Sequence, residues 1–297
     1  MPHALARLPL ALLVACALLS GATASVLAAT STPNQALIGT PIRSVYIRPP
    51  QGATPADPNS KPLQVLLALH GMGSNGEEFS RDLIEQADHY HWLIVAPTIA
   101  YGNWMDPSVV AREDPLLIKA LSDYVDQLPQ LTGFKVRRQM LVLGHSRGAQ
   151  LAHRFAEFRP DRVLAVAALS AGTYTLPSST GSFPYGIKDL AQYAGRAFDA
   201  AGFEGVQFWV GVGGQDTNPA DLPRQWDAYE GTTRLQRAQA FEAAMQKMGA
   251  SSVLRVFGDA RHEVTGEMRT AACQFLGRAT LPRAPFGAPH AASPQAI

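Results

Sequence analysis

The chain has 297 residues, and about 250 remain once a short leader and tail are set aside, enough for one domain with a sizeable core and too many for a disulfide-stapled miniprotein. Apolar residues make up 46% and charged residues 16%, which excludes a disordered or polyelectrolyte chain. Lys and Arg number 25 against 24 Asp and Glu, a net charge of +1, and no basic run could neutralise successive phosphates, so nucleic acid is not an expected partner.

Taken in chain order, residues 1–28 have the layout of a secretory signal peptide. One Arg stands near the start, an apolar stretch runs from Leu8 to Leu19, and small residues offer cleavage after Ala24 or near Ala28. The apolar stretch is short for a bilayer span and no second one follows, so no integral membrane span is expected after leader removal. A secreted or periplasmic location follows, with a lipoprotein anchored through Cys16 as the alternative, because Leu13-Val14-Ala15-Cys16 resembles a lipobox. Cleavage past Cys16 leaves Cys273 alone, so no internal disulfide is expected; its helical surroundings mark it as a buried structural thiol.

Residues 29–280 read as a single α/β domain. The apolar runs 63–69, 92–97, 139–144, 163–170, 206–212 and 253–257 are nearly continuous, as strands covered on both faces require. Helical patterns fall between them at 77–89, 114–128, 147–158, 187–201, 232–248 and 263–278. This alternation predicts a mostly parallel central sheet with helices on both faces, and residues 44–49 add an antiparallel strand at one edge. Residues 171–186, crowded with Gly, Pro, Ser and Thr, read as a loop, and residues 281–297 read as a disordered tail.

The chemistry-bearing pattern is Gly144-His145-Ser146-Arg147-Gly148, which follows a buried strand and opens a helix. In that context small residues flank a serine on a turn so sharp that its Oγ stands at the carboxyl edge of the sheet. A serine needs a base to take its proton and an acid to hold the base in the right tautomer. Asp216, in the Gly213-Gly214-Gln215-Asp216 loop after the fifth long run, and His262, in Arg261-His262-Glu263 after the sixth, supply both. All three residues lie just beyond strands of one sheet and converge on one edge. Asp259 is the rival acid, and Asp216, Asn218 and Asp221 have the spacing of a calcium loop without its remaining ligands.

Charge developing on a carbonyl oxygen also needs backbone donors. The Gly-rich turn His70-Gly71-Met72-Gly73 offers the amide of Met72, and Arg147 offers the other; His70 reads as a loop-stabilising residue. Arg147 is itself unusual, because a cation at a helix N-terminus is disfavoured by the macrodipole. Either an internal carboxylate or an acidic substrate has to compensate. Trp104, in Asn103-Trp104-Met105-Asp106, is a candidate substrate-binding wall or an aromatic packed beneath its loop.

With these residues in place, the chain resembles the α/β-hydrolase superfamily over about residues 40–278. HGMG, GHSRG, GGQD and RHEV are similar to the motifs of compact bacterial serine esterases near the carboxylesterase/phospholipase, dienelactone hydrolase and polyhydroxybutyrate depolymerase branches. The resemblance implies an α/β-hydrolase fold without a large cap and a serine ester hydrolase with no metal or organic cofactor. Ser146 in place of cysteine separates the chain from dienelactone hydrolase proper. Its ester substrate stays open among small soluble esters, feruloyl or acetyl groups on polysaccharide, and polyesters. Oligomeric state is open too, as are a serine peptidase, an acyltransferase or a non-catalytic binding protein on the same scaffold.

Overall fold

A computed structural model describes residues 34–56 and 59–281. The expected signal peptide, Cys16 and nearly all of the expected tail lie outside the described residues. Seven strands form one sheet: β1 (Ile42–Arg48), β2 (Gln64–Leu69), β3 (Trp92–Ile99), β4 (Met140–His145), β5 (Val163–Leu169), β6 (Gln207–Gly213) and β7 (Ser252–Phe257). Their spatial order is β1-β3-β2-β4-β5-β6-β7. β1 pairs antiparallel with β3, as the edge strand expected from residues 44–49, and every other neighbour is parallel.

The helices are α1 (Gly76–Arg81), α2 (Ile84–Tyr90), α3 (Pro107–Asp126), α4 (Leu128–Thr132), α5 (Arg147–Phe158), α6 (Leu190–Ala194), α7 (Ala200–Glu204), α8 (Asp227–Glu230), α9 (Arg234–Met248) and α10 (Gly266–Ala279). For β2 to β6 the continuous apolar runs have the meaning assigned to them, because alternate residues serve opposite faces; β7, at the sheet edge, leaves Val253 and Val256 exposed, so the 253–257 run is not covered on both faces. Val65, Leu67 and Leu69 of β2 join a core completed by α3, α5 and α9. Leu66 and Ala68 face the other way, into a core completed by α2 and α10 that contains the buried Cys273. Burial pushes the Cys273 thiol up to about 12.

Helix boundaries depart from the sequence pattern for local reasons. α3 starts at Pro107, seven residues before the expected Asp114, because Asp106 accepts from the Ser108 amide as N-cap and Pro107 is tolerated in the first turn; Pro115 lies inside the helix. The expected 187–201 helix is divided by Gly195, whose φ of 67° ends α6, and Asp199 then caps α7. Thr233 and Gln236 form a capping box that fixes the start of α9. Thr265 caps α10, which leaves the residues before it, His262 among them, in a loop. Between β5 and β6 the described residues hold only the two five-residue helices α6 and α7, so no cap covers the carboxyl edge there. No helix among the described residues is long and apolar enough to cross a membrane.

Candidate active site

Ser146 joins β4 to α5 with φ 53° and ψ −116°, in the left-handed half of the map that a non-glycine residue rarely occupies. The surrounding glycines explain how the turn closes. A Cβ on Gly144 would sit 2.3 Å from the Gly148 carbonyl oxygen, and one on Gly148 would sit 2.0 Å from that of Leu69. Backbone fills the places where side chains would be, so the G-x-S-x-G spacing is a packing requirement as well as a motif.

Ser146, Asp216 and His262 meet at the carboxyl edge of the sheet. His262 Nε2 lies 2.9 Å from Ser146 Oγ, and His262 Nδ1 lies 2.8 Å from Asp216 Oδ2. Asp216 and Ser146 are buried while His262 is half-buried. Burial pushes the Asp216 carboxyl up, but the hydrogen bond from His262 and the Arg234 guanidinium outweigh it and hold it below the usual carboxylate range. Because its oxygens face His262 and Arg234, and Asn218 donates to Asp221 at 3.1 Å, the calcium-loop geometry is not assembled. Asp259 is exposed and takes no part in the cluster.

Two contacts to this cluster carry no sequence signal. Arg234 Nη1 donates to Asp216 Oδ1 at 3.0 Å. His145 Nε2 lies 2.9 Å from the His262 carbonyl oxygen, to which it donates. Burial, with the His262 ring as a secondary cause, pushes the His145 imidazole down to about 4, so it is neutral in ordinary buffers.

The 70–73 turn passes directly beside the serine, since a Cβ on Gly71 would lie 3.2 Å from Ser146 Cβ. His70 holds that turn: its Nδ1 donates to the Gly71 carbonyl at 2.7 Å and its Nε2 accepts from the Ile99 amide at 2.9 Å. The Met72 side chain is exposed, leaving its amide as the relevant group. Arg147 is the first residue of α5, so its N–H is among those that helix geometry leaves without an intrahelical acceptor. Trp104 is half-buried and packs on the loop after β5, where a Cβ on Gly172 would lie 2.8 Å from its ring.

The charge on Arg147 is answered inside the protein. Its guanidinium is 1% exposed and pairs with Glu113 at 2.9 Å and with Asp114, both on α3. Tyr101 stacks beneath it at 4.9 Å. Asp114 also accepts from Arg154 at 2.9 Å, and Arg154 donates onward to Thr175 and Thr173, each at 2.9 Å. This places the α3-facing side of α5 in a polar interior, and an acidic substrate has no access to the Arg147 charge.

Further along that interior, Glu230 accepts from the Tyr174 amide at 3.0 Å, and burial pushes its carboxyl up to about 8. In the unfolded chain it ionises near the ordinary value of 4.5. Over the interval between, the folded protein holds a proton that the unfolded chain releases, so stability falls as pH rises towards 8. From pH 6.5 to 8 the expected loss from this group is about 2 kcal/mol. Urea unfolding at both pH values should show that slope reduced in Glu230→Gln, which keeps an acceptor for Tyr174; an unchanged slope would contradict it.

No protein-family model and no curated protein matches the chain. Among solved structures, poly(aspartic acid) hydrolase-1 from Sphingomonas sp. KT-1 matches with a TM-score of 0.59 and 24% identity, over 79% of this chain and 91% of that one. A poly(3-hydroxybutyrate) depolymerase from Bordetella parapertussis matches with a TM-score of 0.59 and 23% identity, over 78% and 81%. A ferulic acid esterase matches with a TM-score of 0.52 and 20% identity, over 80% and 91%. The mostly parallel seven-stranded sheet and these likenesses define the class: the chain has the α/β-hydrolase fold.

Proposed function

We propose that the protein is a serine hydrolase that cleaves carboxylic esters by a two-step acyl-enzyme route. The observation that carries this reading is the continuous relay of hydrogen bonds from Ser146 Oγ through both ring nitrogens of His262 to Asp216. Ser146 Oγ attacks the ester carbonyl carbon as His262 Nε2 takes its proton. Asp216 holds the imidazole by Nδ1–H and stabilises its charged form. The amides of Met72 and Arg147 receive the oxyanion, which favours the transition state over the bound ester. As the intermediate collapses, the C–O bond breaks and His262 protonates the departing alcohol. Water then attacks the acyl-enzyme with His262 again as base, releasing the acid and restoring Ser146 Oγ–H. These steps balance without a metal or an organic cofactor.

Trp104, half-buried against the loop at Gly172, is the proposed substrate-binding wall. The similar folds include proteins described as acting on polymers and on a ferulic ester, so the informative panel spans p-nitrophenyl esters of several acyl lengths, a feruloyl ester and a polyester film. Export is part of the proposal and rests on the character of residues 1–28.

A fluorophosphonate should label the folded protein on the peptide containing Ser146, with parallel loss of p-nitrophenyl ester turnover. A folded protein that neither reacts nor turns over any ester would instead point to a binding protein that keeps the hydrolase scaffold.

A further inference from the structure

Asp216 is a carboxylate only 4% exposed, and a buried carboxylate needs donors on both oxygens. Oδ2 receives Nδ1 of His262 at 2.8 Å. Oδ1 receives Nη1 of Arg234 at 3.0 Å. The other terminal nitrogen of the same guanidinium points to the Asp221 carbonyl oxygen at 3.5 Å, so one side chain touches the loop both at Asp216 and five residues further on.

Arg234 is also in a place that needs explaining. It is the first residue of α9, where the helix dipole disfavours a cation. The helix start does not depend on it, because Thr233 and Gln236 already satisfy the terminal amides as a capping box. Its buried charge is compensated by Asp216, as the buried charge of Arg147, the first residue of α5, is compensated by Asp114 and Glu113.

We propose that Arg234 is a positioning residue of the triad, clamping Oδ1 of Asp216 so that Oδ2 stays aimed at His262 and offsetting part of the carboxylate charge. This inference rests on the serine hydrolase reading. The groups facing the Asp216–His262 pair are few. Ser146 approaches from the β4–α5 turn, His145 from the end of β4 with its ring centroid 5.1 Å from that of His262, Arg234 from the start of α9, and the buried Tyr174 phenol, on the loop after β5, lies near enough to feel the Asp216 charge. Arg261 and Glu263 flank His262 on its own loop and are exposed. His145 is neutral down to about pH 4, whereas the partner at Oδ1 is a guanidinium, a cation by its chemistry. Among the described residues, Arg234 is therefore the one cation from another element in contact with Asp216. Its charge opposes proton uptake by the coupled Asp216–His262 pair and thereby keeps the base available in mildly acidic medium.

The test is kcat and KM for p-nitrophenyl acetate from pH 5 to 9 in the parent, Arg234→Met and Arg234→Lys, with near-UV circular dichroism as the check on folding. In Arg234→Met the acidic limb of kcat/KM should move up by about one pH unit, the size expected for losing one partly screened charge. Its kcat should fall roughly tenfold or more at the plateau, within what one oriented catalytic contact commands, with KM little changed. Arg234→Lys keeps the charge but not the fork: its limb should stay with the parent's while kcat falls. If Arg234→Met does not fold, Arg234→Gln replaces it, keeping a donor without the charge, and the same shift is expected. A neutral variant whose acidic limb coincides with the parent's overturns the proposal, even if kcat falls. An inactive parent would remove the hydrolase reading itself, a separate and recognisable outcome.

Discussion

Ser146→Ala is expected to lower kcat for p-nitrophenyl esters by about 10⁴- to 10⁶-fold, the range over which removing a triad nucleophile acts. The fold should survive, because the hydrogen bond that the Ser146 N–H donates to the Leu169 carbonyl at 2.8 Å is backbone and remains. Alanine must still adopt the positive φ of this turn, but serine carries the same Cβ there. KM should change little, since Oγ matters most when its bond to the carbonyl carbon forms. Steady-state kinetics checked against the thermal unfolding midpoint separates the two effects. Turnover within about tenfold of the parent would be far too small a loss for a nucleophile and would remove the mechanism.

Asp114→Ala should produce the largest stability loss. Asp114 is fully buried between Arg147 and Arg154, themselves 1% and 0% exposed. Its removal leaves two guanidiniums without their central counter-charge, and breaking a buried ion pair in this way typically costs about 3–5 kcal/mol. A fall in the thermal midpoint of roughly 10 °C follows for a domain of this size. Glu113→Gln is the control. Glu113 is partly exposed, and its other oxygen accepts from the Gly102 amide at 2.7 Å. The glutamine keeps an acceptor for that amide, so a loss of about 1 kcal/mol is expected. Equal losses in the two variants, read from urea unfolding, would contradict the central role assigned to Asp114.

The centre of the sheet was legible because β2 to β6 are buried on both faces and so appear as unbroken apolar runs, whereas the edge strands β1 and β7 keep exposed residues. The meeting of Ser146, Asp216 and His262 was legible for a related reason: each follows a different strand of a parallel sheet, and parallel strands end on the same side. Contacts made through helix packing were not. Arg147 and Asp114 are 33 positions apart, and their pairing depends on how α3 lies against α5, which no local pattern encodes. Pro115 obscured the start of α3, since a proline marks a helix's first turn far more often than its interior. Arg234 looked like any charged residue at a helix start. The Thr233–Gln236 cap on either side of it sets the start of α9, but nothing in the sequence distinguishes an arginine held over a buried carboxylate from one facing water.

The sealed thiol of α10 has a practical consequence. Cys273 lies wholly inside the core and its ionised form is strongly disfavoured, so an alkylating reagent reaches it only when the helix lifts from the sheet. Its rate of modification is therefore a clock for opening events on that side of the molecule. A cysteine introduced at the rim of the candidate site would react before Cys273, allowing a dye to be attached there without disturbing that thiol.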